Sequence, residues 1–241
     1  MLYPVELISR AFSFYMAREI WSIGLFGKRT DFPLVLESLA LKGDGMENIV
    51  LASSSPRRKE ILKMMRIPFQ VVEPNVDESS LAAESLDMLP EILAAEKVNS
   101  VLRSLPEGHG FLWILGADTL VMIDGKIYGK PKSRDEAFGF LSAFQGRAHD
   151  VVTGLALYNV RKRALSVRSA IAKVTFAPMS GEEIEWYLST DEWKDAAGGY
   201  KIQGLAACFV TKIEGAPSCV VGLPIFTLYD MLKKEGYPLV S

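Results

Sequence analysis

The stretch "IVLASSSPRRKEIL", Ile49–Leu62, decides the class of fold. Ile49 to Ala52 is a short apolar run stopped by a turn, which reads as a buried strand. Ser55-Pro56 then supplies a helix start, with serine at the N-cap and proline at the first helical position, where its missing N–H costs nothing. Ile61, Leu62 and Met65 give the following helix its apolar stripe. A strand feeding straight into a helix is the unit from which α/β sheets are built. The turn also carries an electrostatic oddity. Arg57 and Arg58 occupy the first helical turn, the end where a cation is least welcome. That placement makes sense if they face a polyanion, because a helix N-terminus binds phosphate and arginine forks onto its oxygens. The plainer alternative is a solvated arginine pair behind a common serine cap. The turn is not a Walker loop, since it lacks the glycines and the Gly-Lys-Ser/Thr ending.

Working outward, "FQVV" (Phe69 to Val72) reads as a second strand. A helix is expected from about Glu84 into Arg103, with Pro90 arguing for a break or a late start. "WILGADTLVMIDGKIYGKP" holds a strand and then a hairpin turning at Asp124-Gly125. Ser133 and Glu136, and again Ser180 and Glu183, have capping-box spacing ahead of helices. "HDVVTGLALYN" and Val167 to Phe176 read as adjacent strands. "LAACFVTKIEG" reads as a further strand, and Leu223 to Glu235 as a last helix with Pro224 near its first turn. The alternation predicts one α/β domain with a mixed sheet flanked by helices.

The 241 residues are 49% hydrophobic and 23% charged, with a net charge of −2. Such a chain has no general attraction for nucleic acid or an anionic membrane, so any anion must be caught by local groups. Two cysteines and two histidines supply neither a disulfide framework nor a His/Cys zinc site, and a reduced, cytoplasmic setting is expected. Residues 1–45 read differently. "LISRAFSFYMAREIWSIGLF" is apolar and aromatic, but Arg18 and Glu19 interrupt it, and it falls short of a membrane span. It also lacks a signal-peptide layout. The expected division is an N-terminal extension over 1–45, either an appendage or sequence upstream of a natural start at Met46, and a main domain over 46–241.

Further residues point to phosphate chemistry. Asp118, in "GADT", directly follows an apolar run, where a carboxylate could hold a divalent cation or activate water; a strand-end cap is the bland alternative. Lys130 of "GKP" sits on a fixed turn, and Asp77 and Glu78 of "VDES" are a second carboxylate source. Lys97 lies on a predicted helix and could simply face solvent. "AAGGYKIQG", Ala196 to Gly204, is a glycine-rich loop carrying Gln203, whose amide can both donate and accept at a base edge. Together these are parts for metal-assisted attack on a nucleoside triphosphate.

"LASSSPRRKEIL", "GADTLV", "GKP", "GRAHDVVTG", "AGGYKIQG" and "VVGLP" occur in the order and spacing of the Maf family of nucleotide pyrophosphatases, which the chain resembles from about Met46 onward. The resemblance implies an elongated mixed sheet with two lobes around a cleft, similar to the inosine triphosphate pyrophosphatases. It implies hydrolysis of a nucleoside triphosphate to the monophosphate and pyrophosphate with Mg²⁺ or Mn²⁺. Carried over by motif, Asp118 matches the proton acceptor and, with Glu78, the metal-associated carboxylates. Ser53, Arg58, Lys97 and Lys130 match positions around the triphosphate, while Arg57, Thr119 and Gln203 match those that set base preference. Arg57 and the Ile202-Gln203-Gly204 triplet fit the branch acting on dTTP and UTP. The 7-methyl-GTP branch typically has a tryptophan after the proline and lacks the triplet. Gly199 and Lys201 replace the more usual alanine and glycine of the loop, and Ala196 replaces a common lysine. The implied partner is the nucleotide, with no nucleic acid and no membrane, and a homodimer is compatible with the family. Two other classes remain. A nucleotide-binding regulator of septum formation without catalysis is opposed by the intact Asp118, Lys130 and Gln203. A nucleic-acid-binding module is opposed by the net charge and by the lack of an aromatic-basic platform.

Overall fold

A computed structural model describes residues 46–76 and 88–239. The expectations placed on residues 1–45, on Asp77 and Glu78, and on a helix start near Glu84 lie outside them.

The strands are β1 (Ile49–Ala52), β2 (Phe69–Val71), β3 (Trp113–Ile123), β4 (Lys126–Tyr128), β5 (Ala148–Asn159), β6 (Ala164–Phe176) and β7 (Val210–Glu214). The helices are α1 (Pro56–Met64), α2 (Leu89–Ser104), α3 (Arg134–Phe144), α4 (Gly181–Ser189), α5 (Pro217–Val221) and α6 (Ile225–Glu235). The strands form one mixed seven-stranded sheet in the order β2-β1-β3-β5-β6-β7, with β4 also paired to β3. β1 runs parallel to β2 and β3, and the remaining pairings are antiparallel.

One feature of the register makes the cleft. β5 pairs with β3 along Trp113 to Met122, so β1 and β4 must share the opposite edge of β3. β1 ends there with Ala52 opposite Gly116, and β4 ends with Tyr128 opposite Val121. Residues 117–120 therefore have an unpaired edge. At about 3.3 Å per residue the notch is roughly 15 Å long. Asp118 and Thr119 sit inside it.

Strand periodicity assigns the two faces. Ile49, Leu51, Trp113, Leu115, Leu155 and Leu157 pack with Ile61 and Leu62 of α1 and Leu228, Met231 and Leu232 of α6. Val50, Ala52, Ile114 and Ala156 face the other way, onto Ala94, Val98 and Val101 of α2. A second lobe has its own core, where Val121, Val151, Val174 and Phe176 meet α3, α4, Trp193 and Tyr200.

The local signals mostly act as read. Asp124 and Gly125 both have positive φ, 51° and 69°, as the two-residue hairpin requires. Ser180 and Glu183 form a complete capping box, whereas Ser133 accepts from the Glu136 N–H and Glu136 reaches back to the Lys132 N–H instead. α2 runs from Leu89, with Pro90 in its first turn. One expectation is corrected. In "LAACFVTKIEG" only Val210–Glu214 is strand, because Leu205–Phe209 forms a 3₁₀ turn. The Glu192 carboxylate takes the Leu205 N–H at 2.8 Å and Ala207 N–H bonds the Gly204 carbonyl, a tertiary anchor that overrides strand propensity. The short helix α5 was not foreseen.

Candidate active site

The cleft of about 680 Å³ opens at the notch in β3. Each face of the sheet delivers a different group to it. Asp118 lies on the α2 face, and the Lys97 ammonium of α2 forms an ion pair with its carboxylate; their side chains are only 11% and 9% exposed. That contact depends on how closely α2 approaches. A Cβ on Gly154, the residue opposite Asp118 across β5, would lie 2.5 Å from the Glu91 nitrogen and closer still to the Pro90 carbonyl. A Cβ on Gly116 would meet Val98 Cγ2 at 2.8 Å and the Ala94 carbonyl oxygen. Two glycines thus seat the helix that carries Lys97.

Thr119 lies on the α1 face, where Arg58 crosses to it. Arg58 is 8% exposed and donates from Nε to the Gly222 carbonyl (2.8 Å), from Nη1 to Ser53 Oγ (3.0 Å) and from Nη2 to Thr119 Oγ1 (3.2 Å). Gly222 closes α5 at φ 107°, a left-handed cap that favours glycine. Thr153 Oγ1 donates to the Cys219 carbonyl (2.8 Å), so in its 2.9 Å contact with Thr119 the hydrogen comes from Thr119. The Thr119 hydroxyl is therefore engaged by protein on both sides. Ser53 Oγ accepts from the Ser55 N–H (3.2 Å) as well as from Arg58, which leaves its own hydrogen as a donor. Ser55 stands at the N-cap, but its side chain makes no cap bond. The N-terminal amides of α1, which belong to the same wall, keep their affinity for an anion.

The far wall is the loop through Ala196–Gly204. Arg57 Nη2 donates to the Asp195 carbonyl at 3.0 Å, and burial pushes the Arg57 pKa down against the pull of Asp195. Behind the loop, Tyr200 OH and His149 Nε2 meet at 2.7 Å within a cage of Phe144 and Phe176. Burial holds His149 at about 4 and raises Tyr200 above the usual phenol range. The loop is thus anchored by a neutral pair.

Of the residues expected at a site, Ser53, Arg57, Arg58, Lys97, Asp118, Thr119, Lys130 and Gln203 all line this one cleft; Glu78 is outside the described residues. Glu73, Asp195 and the backing His149 join them without a signal in the motifs, while Lys201 stands in the loop beside Gln203. Lys97 carried an unused signal, because it falls on the buried stripe of Leu93, Ala94, Val98 and Val101, where a lysine needs an acidic partner.

A divalent ion can be tested against this donor set. Among the described residues no three His, Cys, Asp or Glu side chains gather as a cage. A hard cation such as Mg²⁺ needs only one or two carboxylates when phosphate oxygens and water complete its shell. Asp118 and Glu73 both line the cleft, so carboxylates of the kind such an ion takes are present there.

Residues 48–235 match the family model described as "Maf-like protein". A dTTP/UTP pyrophosphatase from Symbiobacterium thermophilum is 43% identical over 196 residues, covering 81% of this chain and 98% of the relative. Another so named, from Treponema denticola, is 39% identical over 203 residues, covering 81% and 100%. Among solved structures, protein VC0702 from Vibrio cholerae is 12% identical with a TM-score of 0.41, covering 80% of this chain and 99% of that one, a likeness too remote to bear on function.

Proposed function

This chain belongs to the Maf-like protein family, and we propose from that premise that it hydrolyses dTTP and UTP to the monophosphate and pyrophosphate. The observation that carries the proposal is similarity over 81% of this chain to relatives named for that activity, joined to a cleft where Asp118 stands among cations at an open strand edge. No helix of the described residues is long and apolar enough to cross a membrane. The proposal extends to a cytoplasmic enzyme whose catalytic domain is residues 46–241.

In the proposed mechanism the triphosphate lies across the N-terminus of α1. The Ser53 hydroxyl, fixed by Arg58, donates to a phosphate oxygen, and Lys97, Lys130 and Arg58 supply positive charge. Water attacks the α-phosphorus, its proton passes to the Asp118 carboxylate, and the bond from that phosphorus to the bridging oxygen breaks to release pyrophosphate. The same cations stabilise the charge that develops on the leaving oxygens. Mg²⁺ or Mn²⁺ bound by Asp118, with Glu78 or Glu73, would polarise the phosphate oxygens. Arg57 and Gln203 contact the base.

The test is pyrophosphate release from dTTP, UTP, CTP, GTP and 7-methyl-GTP with each metal and after chelation. Selective release from dTTP and UTP is expected, abolished by chelator. Asp118→Asn should lower turnover by roughly 10²–10⁴, the range for a lost general base. Near-normal turnover in that variant would remove Asp118 from the mechanism. Release from 7-methyl-GTP alone would overturn the substrate assignment.

A further inference from the structure

We propose that Lys201 is a specificity residue, its ammonium donating to a carbonyl oxygen of uracil or thymine and rejecting the amino group of cytosine. This rests on the pyrimidine triphosphate reading above and adds to it a residue given no role there.

Lys201 lines the cleft beside Arg57 and Gln203. Its backbone is fixed. The Gly204 N–H bonds the Lys201 carbonyl at 3.1 Å, closing a turn that also holds Gln203. Glu192 clamps the next residue, Leu205, and Tyr200, immediately before Lys201, is tied to His149. The Lys201 backbone therefore has a defined place on the cleft wall.

Its charge is also held at a cost. Lys201 is half-buried, and among the described residues its ammonium has no hydrogen bond or ion pair. Burial and the nearby Arg57 guanidinium both push its pKa down, opposed by Glu192 and Asp195. Neither acid belongs to Lys201 alone: the Glu192 carboxylate accepts the Leu205 N–H, and the Asp195 charge also acts on Arg57. An ammonium set beside a second cation in a cleft is stabilised by an acceptor that a ligand brings.

The donor inventory says which acceptor. Arg57 and Lys201 can only donate, whereas the Gln203 amide can do both. The pairing edge of uracil or thymine reads acceptor, donor, acceptor, through O2, N3–H and O4. Two cationic donors flanking an amide that accepts from N3–H complement that edge. Cytosine presents an amino donor where O4 would be, so one cation would face hydrogens instead of an acceptor.

The experiment measures kcat/KM for UTP, dTTP and CTP with the full chain, Lys201→Met and Lys201→Gly, alongside inhibition by inorganic pyrophosphate. Loss of one charge-assisted hydrogen bond should lower UTP and dTTP efficiency roughly tenfold. CTP should hold constant or improve, and pyrophosphate inhibition should be unchanged. Lys201→Met also removes repulsion from Arg57, so its Tm should be equal or higher, which separates a lost contact from a lost fold. An equal fall for UTP and CTP, with weaker pyrophosphate inhibition, would make Lys201 a phosphate contact and overturn the proposal. Unchanged ratios in both variants would overturn it as well. If the unsubstituted chain released pyrophosphate from none of the three, the pyrophosphatase reading itself would fall.

Discussion

His149 should make the protein measurably weaker in acid, by an amount that can be worked out beforehand. It is 2% exposed, stacks on Phe144 and shares its Nε2 with Tyr200 OH. Its Nδ1 has no partner among the described residues. Protonation would put a charge and a second N–H into an aromatic cage, which is why the folded pKa drops from 6.5 to about 4. Below pH 6.5 the unfolded chain binds a proton that the folded chain refuses, so this contribution rises with pH. It is complete above pH 6.5 and lost as pH falls toward the folded value. Linkage gives a loss of about 2 kcal/mol at pH 5 and about 3 kcal/mol at pH 4. Carboxylates titrate in the same window, so the assay is a difference. Urea unfolding of the unsubstituted chain and of His149→Phe would be compared between pH 4 and 8. The variant loses the bond to Tyr200, a pH-independent deficit of about 1–3 kcal/mol. That deficit should shrink, and could reverse, as pH falls from 6.5 to 4. A gap constant with pH would refute the claim that His149 is buried neutral.

Gly154→Ala should lift the start of α2 and pull Lys97 from Asp118; overpacking of this kind costs about 1–3 kcal/mol or more, read as a lower Tm together with lost turnover. Gly129→Ala, where an added Cβ meets nothing within 4 Å, is the matched control and should leave Tm unchanged. Arg58→Lys keeps the charge but cannot reach Gly222, Ser53 and Thr119 together. It should cost about 2–4 kcal/mol in urea unfolding, and loss of less than half a kcal/mol would contradict the three-way bridge.

The α/β class was legible because its signals are local. The proline in the first turn of α1, the Asp124-Gly125 hairpin and the capping box at Ser180 each act within a few residues. The cleft residues were legible as motifs, but their connections were not. Nothing near Thr119 in the chain reveals that its hydroxyl joins Arg58 to Thr153, because those partners arrive through strand register and helix packing. Likewise, Gly116 and Gly154 are 38 positions apart and act together only once β3 and β5 pair beneath α2. The 3₁₀ turn at Leu205 was misread because Glu192, which holds it, comes from an earlier loop.

The notch in β3 interrupts one edge of the sheet and nothing more. β3, β5 and β6 run unbroken beneath the cleft, contributing Trp113 and Leu157 to one core and Val121, Val151 and Phe176 to the other. Neither core can melt without stripping the ladder from its neighbour, so the described domain should unfold in a single cooperative transition despite its two centres. Occupancy of the cleft is then coupled to the whole transition. A nucleotide at a hundred times its Kd should raise the global unfolding free energy by about 2.7 kcal/mol, registered alike in both cores.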